Sequence, residues 1–212
     1  MKFGDWINRK RHNRGFGIQS PSSFFFITQV LKERLPYYAY PLLDKVIDGG
    51  ATKRRHFREL FRITNYQQPE SCISIGSAEA ACAMVLAKPF AKHYAIAPTG
   101  LTSEKQALLN ERGCQIIESI DQFKALMAET SVFGMFYIDA TDNADTFIKA
   151  AMSHTNNRSL IFVDGISRSQ ATRQWWKQFV NDNTTTVTYD MYSYGLLFFD
   201  KERRKQNYTL KR

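Results

Sequence analysis

Three residues stand where this chain can be expected to do chemistry: Gly76, Asp139 and Asp164. Gly76 follows a short apolar run inside SCISIGSAEAACAMVLA, at the point where a buried strand should hand over to a helix. That is the layout of a nucleotide-binding βα corner, in which glycines let the backbone approach an anion at the helix N-terminus. The positions that would bring a second close-approach glycine and an acidic residue hold Ala80 and Ser74. Asp139 closes the run FGMFYID and Asp164 closes LIFVD. Open α/β sheets bind ligands at the carboxyl ends of their strands, so both acids are candidates for ligand or metal contact. The plainer alternative is that they cap the next helices or are solvated at strand ends.

These positions need a scaffold, and its elements are legible along the chain. Ser20-Pro21 reads as an N-cap followed by proline at the first helical position, with a helix running to Leu35 and stopped by Pro36. The stretch ATKRRHFRELFRITNY repeats Phe57, Leu60, Phe61 and Thr64 at helical spacing with arginines between them. Strands and helices then alternate: CISIG, SAEAACAMVLA, HYAIA, TSEKQALLNERG, CQIIES, IDQFKALMAE, VFGMFYID, DNADTFIKAAMS, RSLIFVD and SQATRQWWKQFV. Unbroken apolar strands such as FGMFYI and LIFV imply burial on both faces, as in a parallel sheet covered by helices. TTTVTYDMY and YGLLFFD stand too close together for a helical crossover and should pair as an antiparallel hairpin. The expected fold is α/β, Rossmann-like, with about seven strands, mostly parallel, and a C-terminal antiparallel hairpin. Residues 1–65 form a helical N-terminal extension packed on a core domain at 66–212.

Composition narrows the function classes. With 43% hydrophobic and 23% charged residues, the 212-residue chain suits one medium domain, and no run approaches the ~20 apolar residues that cross a bilayer. The N-terminal MKFGDWINRKRHNRG lacks the apolar stretch of a secretory signal, and Cys72, Cys82 and Cys114 read as reduced core thiols, so a cytoplasmic location is expected. The net charge of +9 is concentrated at the ends: residues 1–14 carry five Lys/Arg against Asp5, and residues 201–212 carry six against Glu202. Such ends attract nucleic acid nonspecifically or keep a protein soluble; no RNP-like or helix-turn-helix pattern supports sequence-specific reading.

Other residue types carry less. His12, His56, His93 and His154 show no HxxxH or HxH spacing, so a shared zinc site has little support. Ser169 reads as a helix cap rather than a nucleophile, because no G-x-S-x-G elbow surrounds it. Trp175 and Trp176 are adjacent on a helix, about 100° apart, so at most one points fully inward. Tyr189, Tyr192 and Tyr194 line an acceptor pocket or fill a strand face.

The order of elements, the terminal hairpin and several local phrases resemble class I S-adenosylmethionine-dependent methyltransferases, in a bacterial branch that opens with a basic, glycine-containing segment and a Ser-Pro helix start. Here that opening is RHNRGFGIQSPSSFFFITQVL, and the likeness continues through FRELFRITNYQQPESCISIG, LIFVDGISRSQATRQWW and VTYDMYSYGLLFFDKERRKQNYTL. The family's first motif, E-L-G-T-S-x-G, corresponds to Ser74, Ile75, Gly76, Ser77, Ala78, Glu79 and Ala80, without the leading acid or the last glycine. The acid that usually grips the ribose hydroxyls corresponds to Ala97 in AIAPTG. The resemblance therefore implies a degenerate cofactor site at Gly76, Ser77, Ala97 and Asp139, with S-adenosylmethionine as its ligand. In metal-dependent O-methyltransferases of this class, positions like Asp139 and Asp164 hold Mg²⁺ with a further oxygen donor after the second acid; here Gly165 follows.

Three function classes stay open on the sequence. One is a methyltransferase of unknown small-molecule acceptor with weakened or lost cofactor binding. Another is a noncatalytic scaffold derived from such an enzyme, acting as an interaction protein and homodimerising through aromatic surface. The third is a nonspecific nucleic-acid binder working through its basic termini.

Overall fold

Short apolar runs form the strands of a single eight-stranded sheet in the computed structural model, which describes residues 18–130, 132–141 and 144–210. Strands β1 (Ser71–Ile75), β2 (Lys92–Ile96), β3 (Gln115–Ile117), β4 (Met135–Asp139) and β5 (Leu160–Asp164) are parallel. They are followed by β6 (Val187–Asp190), β7 (Tyr194–Phe198) and β8 (Gln206–Thr209), giving the spatial order β3-β2-β1-β4-β5-β7-β6-β8. The chain builds outward from β1 to β3, returns to β4 on the other side of β1, and so makes a topological switch point between β1 and β4. Crevices open at the strand carboxyl ends of such a point.

The hairpin read from the sequence is present: β6 and β7 are antiparallel, with β7 inserted antiparallel to β5. The eighth strand is an addition to the seven expected. Residues 206–209 pair parallel to β6, so the positively charged end counted as a tail is partly a sheet edge. Two of its cations bond to the body of the protein, the half-buried Arg203 donating to Ser23 Oγ at 2.6 Å and the exposed Lys205 to the carbonyl of Asp182.

Side chains alternate between two core layers. Cys72, Met135, Tyr137, Leu160 and Phe162 face one layer, while Ile73, Phe136, Ile138, Ile161 and Val163 face the other. The first layer is closed by α1, a short α-helix Pro21–Phe25 continued by a π-helical stretch Phe26–Leu31, and by α2 (Tyr40–Val46), α3 (Ala51–Gln67), α4 (Ala78–Ala87) and α5 (Ser103–Glu111). The second is closed by α6 (Ile120–Glu129), α7 (Ala144–Met152) and α8 (Gln170–Asn181). Burial of both faces explains why the strands are unbroken apolar runs rather than alternating ones. The helical lead ends with α3 at Gln67, and Phe26 packs its ring on Tyr189 and Phe198, so the lead shares the sheet's core.

Local signals explain most boundaries. Ser20 caps α1, Thr102 caps α5, Ser119 caps α6 and Ser169 caps α8 through a capping box with Thr172. The first helix stops at Leu31, four residues before the expected end. The reason is distant in sequence: the Arg62 guanidinium takes the carbonyls of Val30 and Leu31 at 3.0 and 3.1 Å, satisfying the groups a helix end leaves open. Cys72, Cys82 and Cys114 are buried free thiols, and desolvation pushes the latter two up to about 12.

Candidate functional site

The corner after β1 is built from its own residues. Gly76 adopts φ +85°, a conformation that glycine alone adopts cheaply, and a Cβ added there would stand 3.2 Å from the Cβ of Asp139. Ser77 caps α4, its hydroxyl accepting from Ala80 N at 3.2 Å. The Ser74 hydroxyl donates to the Ser77 carbonyl at 3.0 Å, so it is consumed within the turn. The Gly76 and Ala78 amides donate to the carbonyls of Ile96 and Thr99, each at 3.0 Å, and the Thr99 hydroxyl donates back to the Gly76 carbonyl. The corner is thus laced to the loop after β2, where Ala97 lies exposed at φ +42° and brings no polar side chain.

Behind this corner, Glu79 and Lys105 make a buried ion pair. The Lys105 ammonium, on a side chain only 1% exposed, reaches Glu79 at 3.2 Å, Asp48 at 2.5 Å and the Gly100 carbonyl at 2.7 Å, and Lys53 holds Glu79 from the other side at 2.8 Å. Burial works against the charge on Lys105, but its acidic partners outweigh it and leave the group more basic than usual.

Asp139 and Asp164 are register partners at the ends of β4 and β5. Asp164 does not cap the next helix, whose N-cap is Ser169. The Asp164 carboxylate accepts from Tyr137 Oη at 2.8 Å and lies 3.1 Å from His56 Nε2, which α3 brings across the first core layer. Burial pushes this carboxyl up, yet the bonds from His56 and Tyr137 more than offset it and hold it below the usual range. Asp139 behaves in the opposite sense: burial raises it, and the Arg168 guanidinium, 2.8 Å away, only partly restores the charged form. Arg168 also donates to the Ala140 carbonyl at 2.9 Å. It lies across Gly165, at φ +79°, where a Cβ would stand 2.9 Å from its Cζ.

The structure therefore brings Gly76, Ser77, Ala97, Asp139 and Asp164 to one edge of the sheet and adds His56, Tyr137 and Arg168, which the sequence reading did not single out as site residues. His56 was one of four scattered histidines, and only the packing of α3 on the sheet reveals its partner. His93 Nε2 donates to the Lys88 carbonyl, and His154 lies between the carbonyls of Ala150 and Met127. His12 lies outside the described residues. Trp176 is buried and Trp175 half-buried, as their angular separation required. Tyr189 and Tyr194 are buried on strand faces, with Tyr192 at the turn between them exposed.

The donor set at Asp139 and Asp164 does not fit a magnesium ion. Mg²⁺ demands near-octahedral oxygen ligands, whereas one carboxylate here carries a guanidinium and the other an imidazole and a phenol, and Gly165 supplies no side-chain oxygen. Among the described residues, no group of three His, Cys, Asp or Glu side chains could hold a metal ion.

Comparison with solved structures identifies the fold. A proposed O-methyltransferase from Klebsiella pneumoniae superposes with a TM-score of 0.60 at 15% identity, covering 82% of this chain and 95% of that one. The O-methyltransferase TomG of Streptomyces achromogenes, solved with S-adenosylmethionine, gives 0.57 at 13% identity over 90% and 98% of the two chains. An O-methyltransferase from Bacillus cereus, solved with S-adenosylhomocysteine, gives 0.57 at 11% identity over 80% and 94%. No protein-family model matches the chain, and a search of curated proteins finds no match either. What is shared at these identities is the architecture.

Proposed function

We propose that this chain is an S-adenosylmethionine-dependent methyltransferase-like protein for a small-molecule acceptor, with a donor crevice whose grip is weakened. The observation that carries the reading is the convergence of Gly76, Ala97, Asp139 and the His56–Asp164 pair at the switch point of a methyltransferase-type sheet. Gly76, Ser77 and Asp139 would hold the methionyl end of the donor, and Ala97 would lie beside its ribose. The bound donor would supply an electrophilic sulfonium methyl group. What this chain supplies is alignment of the acceptor and a place for its proton. His56, whose Nε2 lies 3.1 Å from the Asp164 carboxylate, is the residue that would receive that proton.

Weak donor binding follows from the chemistry of the anchors. The two charged contacts that Ser74 and Ala97 fail to provide are each worth roughly 1.5–3 kcal/mol, which together weaken binding by ~150-fold or more. Magnesium is not assigned a role, because Arg168 already neutralises Asp139.

Calorimetric titration with S-adenosylmethionine and S-adenosylhomocysteine, with and without Mg²⁺, tests this reading. Saturable binding in the submillimolar range, unaltered by Mg²⁺, is expected. Absence of saturable heat and of any ligand-induced rise in melting temperature would overturn it in favour of a noncatalytic scaffold.

A further inference from the structure

We infer that a second site, separate from the donor crevice, binds a small organic phosphate carried on an apolar body. A cavity of about 700 Å³ lies between the end of α1, α2 and the outer face of α3, and none of Gly76, Ser77, Ala97, Asp139 or Asp164 lines it. That volume is on the scale of small-molecule sites, roughly 300–1,000 Å³.

Its charge is one-sided. Lys32, Arg34, Arg54, Arg55, Arg58 and Arg62 line it against three acids, Glu33, Asp44 and Glu59. Those acids are engaged: Asp44 is held by Arg58, Glu33 accepts from Tyr37 Oη at 2.6 Å, and Glu59 has a partner of its own. Arg62, almost fully buried, spends its guanidinium on two carbonyls and the Tyr40 hydroxyl rather than on a carboxylate. Arg34, Arg54 and Arg55 have no carboxylate partner among the described residues.

On a convex surface such cations would simply be hydrated, and the bland reading would be a solvated helix face. Here they ring a concavity, where low-dielectric walls focus the positive potential and raise the local concentration of anions. Guanidinium groups match phosphate oxygens in a planar, two-pronged geometry that an ammonium lacks. The same cavity has an apolar side, where Leu35 stands exposed beside a packed floor of Ile27, Leu31, Met191 and Leu210. Free inorganic phosphate would leave that side uncovered, so the fitting ligand combines a phosphate head with a short apolar body. The spacing along α3 is what makes this possible: Arg55, Glu59 and Arg62 point to the cavity, while His56, Leu60 and Ile63 turn to the sheet. This site stands whether or not the donor crevice binds its ligand.

The test is calorimetric titration of the full chain with hexyl phosphate and with inorganic phosphate at low and moderate salt. Hexyl phosphate should bind at one molecule per chain, about tenfold more tightly than inorganic phosphate because of its buried methylenes, and more weakly as salt is added. The double variant Arg54→Gln/Arg55→Gln should lose about tenfold or more in affinity with an unchanged melting temperature, and Lys177→Gln, a neutralised cation on exposed α8, should lose nothing. The inference is overturned by absence of saturation, by retained affinity in the double variant, by equal loss in Lys177→Gln, or by displacement of hexyl phosphate with S-adenosylmethionine. It is also overturned if the protein sediments with phosphatidylcholine vesicles containing phosphatidic acid while ignoring the soluble ester, since that would assign the surface to a membrane.

Discussion

The guanidinium of Arg168 lies directly over the α-carbon of Gly165, so close that a methyl group there would stand 2.9 Å from Cζ and 3.0 Å from Nη2. The absence of a side chain at residue 165 is what allows Arg168 to reach Asp139 and the Ala140 carbonyl. Residue 165 therefore decides the electrostatics of a neighbouring strand end. Gly165→Ala should cost about 1–3 kcal/mol for the left-handed backbone, plus the loss of the Arg168–Asp139 contact. In an Arg168→Ala background, only the backbone part should remain. Urea denaturation of the four proteins in this cycle measures the coupling, and equal costs in both backgrounds would refute the contact.

Ala97 offers a direct test of the weakened donor binding proposed above. It is exposed and already sits at φ +42°, a region that aspartate tolerates better than most residues. Ala97→Asp should therefore cost little stability. It should also tighten S-adenosylmethionine binding by about tenfold or more, the worth of one charge-assisted hydrogen bond. Calorimetry on the variant decides the matter: a stable protein with unchanged or weaker affinity would show that the ribose does not lie beside Ala97.

These variants also show where sequence reading stops. The strands were legible because burial on both faces leaves unbroken apolar runs, and the helix starts because Ser20, Thr102, Ser119 and Ser169 act locally as caps. Gly76, Asp139 and Asp164 could be placed at strand ends by the same logic. Their partners could not. His56 and Asp164 are 108 residues apart, and Arg168 reaches Asp139 across 29, contacts that arise only when α3 and the loop after β5 pack against the sheet. The early end of α1 has the same origin, since Arg62 ends it from 31 residues away. The eighth strand was hidden because QNYT is polar and one layer deep at a sheet edge, without the apolar run that marks a central strand.

Asp164 should impose an acid-side dependence on stability. Its folded-state carboxyl is held below the ordinary value by His56 and Tyr137 against the opposing effect of burial. A depressed carboxylate contributes stability above its unfolded pKa of ~3.9, and the contribution disappears as pH falls through the folded value. Wild type should exceed Asp164→Asn by about 1–3 kcal/mol at neutral pH, the cost of disrupting charge-assisted bonds to a buried group. Below ~3.9 the gap should narrow. Guanidinium denaturation at a series of pH values reads it out, and a gap that stays constant from neutral pH to pH ~3 would mean Asp164 is not held as an anion by its two partners.

Lys105 gives the largest expected single-site effect. Its ammonium is enclosed by Glu79, Asp48 and the Gly100 carbonyl, on a side chain only 1% exposed. Removing one member of a buried ion pair typically costs about 3–5 kcal/mol, because the charge left behind is desolvated and unpaired. Lys53 remains on Glu79 at 2.8 Å, so Lys105→Met should fall near the lower end, at about 3 kcal/mol. Replacing both buried partners, as Lys105→Met with Glu79→Leu, should recover much of that loss, since an apolar pair of similar volume avoids the stranded carboxylate. The consequence reaches the crevice as well: the Gly100 loop that Lys105 anchors is continuous with Thr99, whose hydroxyl and carbonyl brace Gly76 and Ala78. Hydrogen exchange at the Gly76 and Ala78 amides should accelerate in Lys105→Met and return toward the wild-type rate in the double variant. If those amides exchange at the wild-type rate while global stability falls, the buried pair stabilises the fold without bracing the corner.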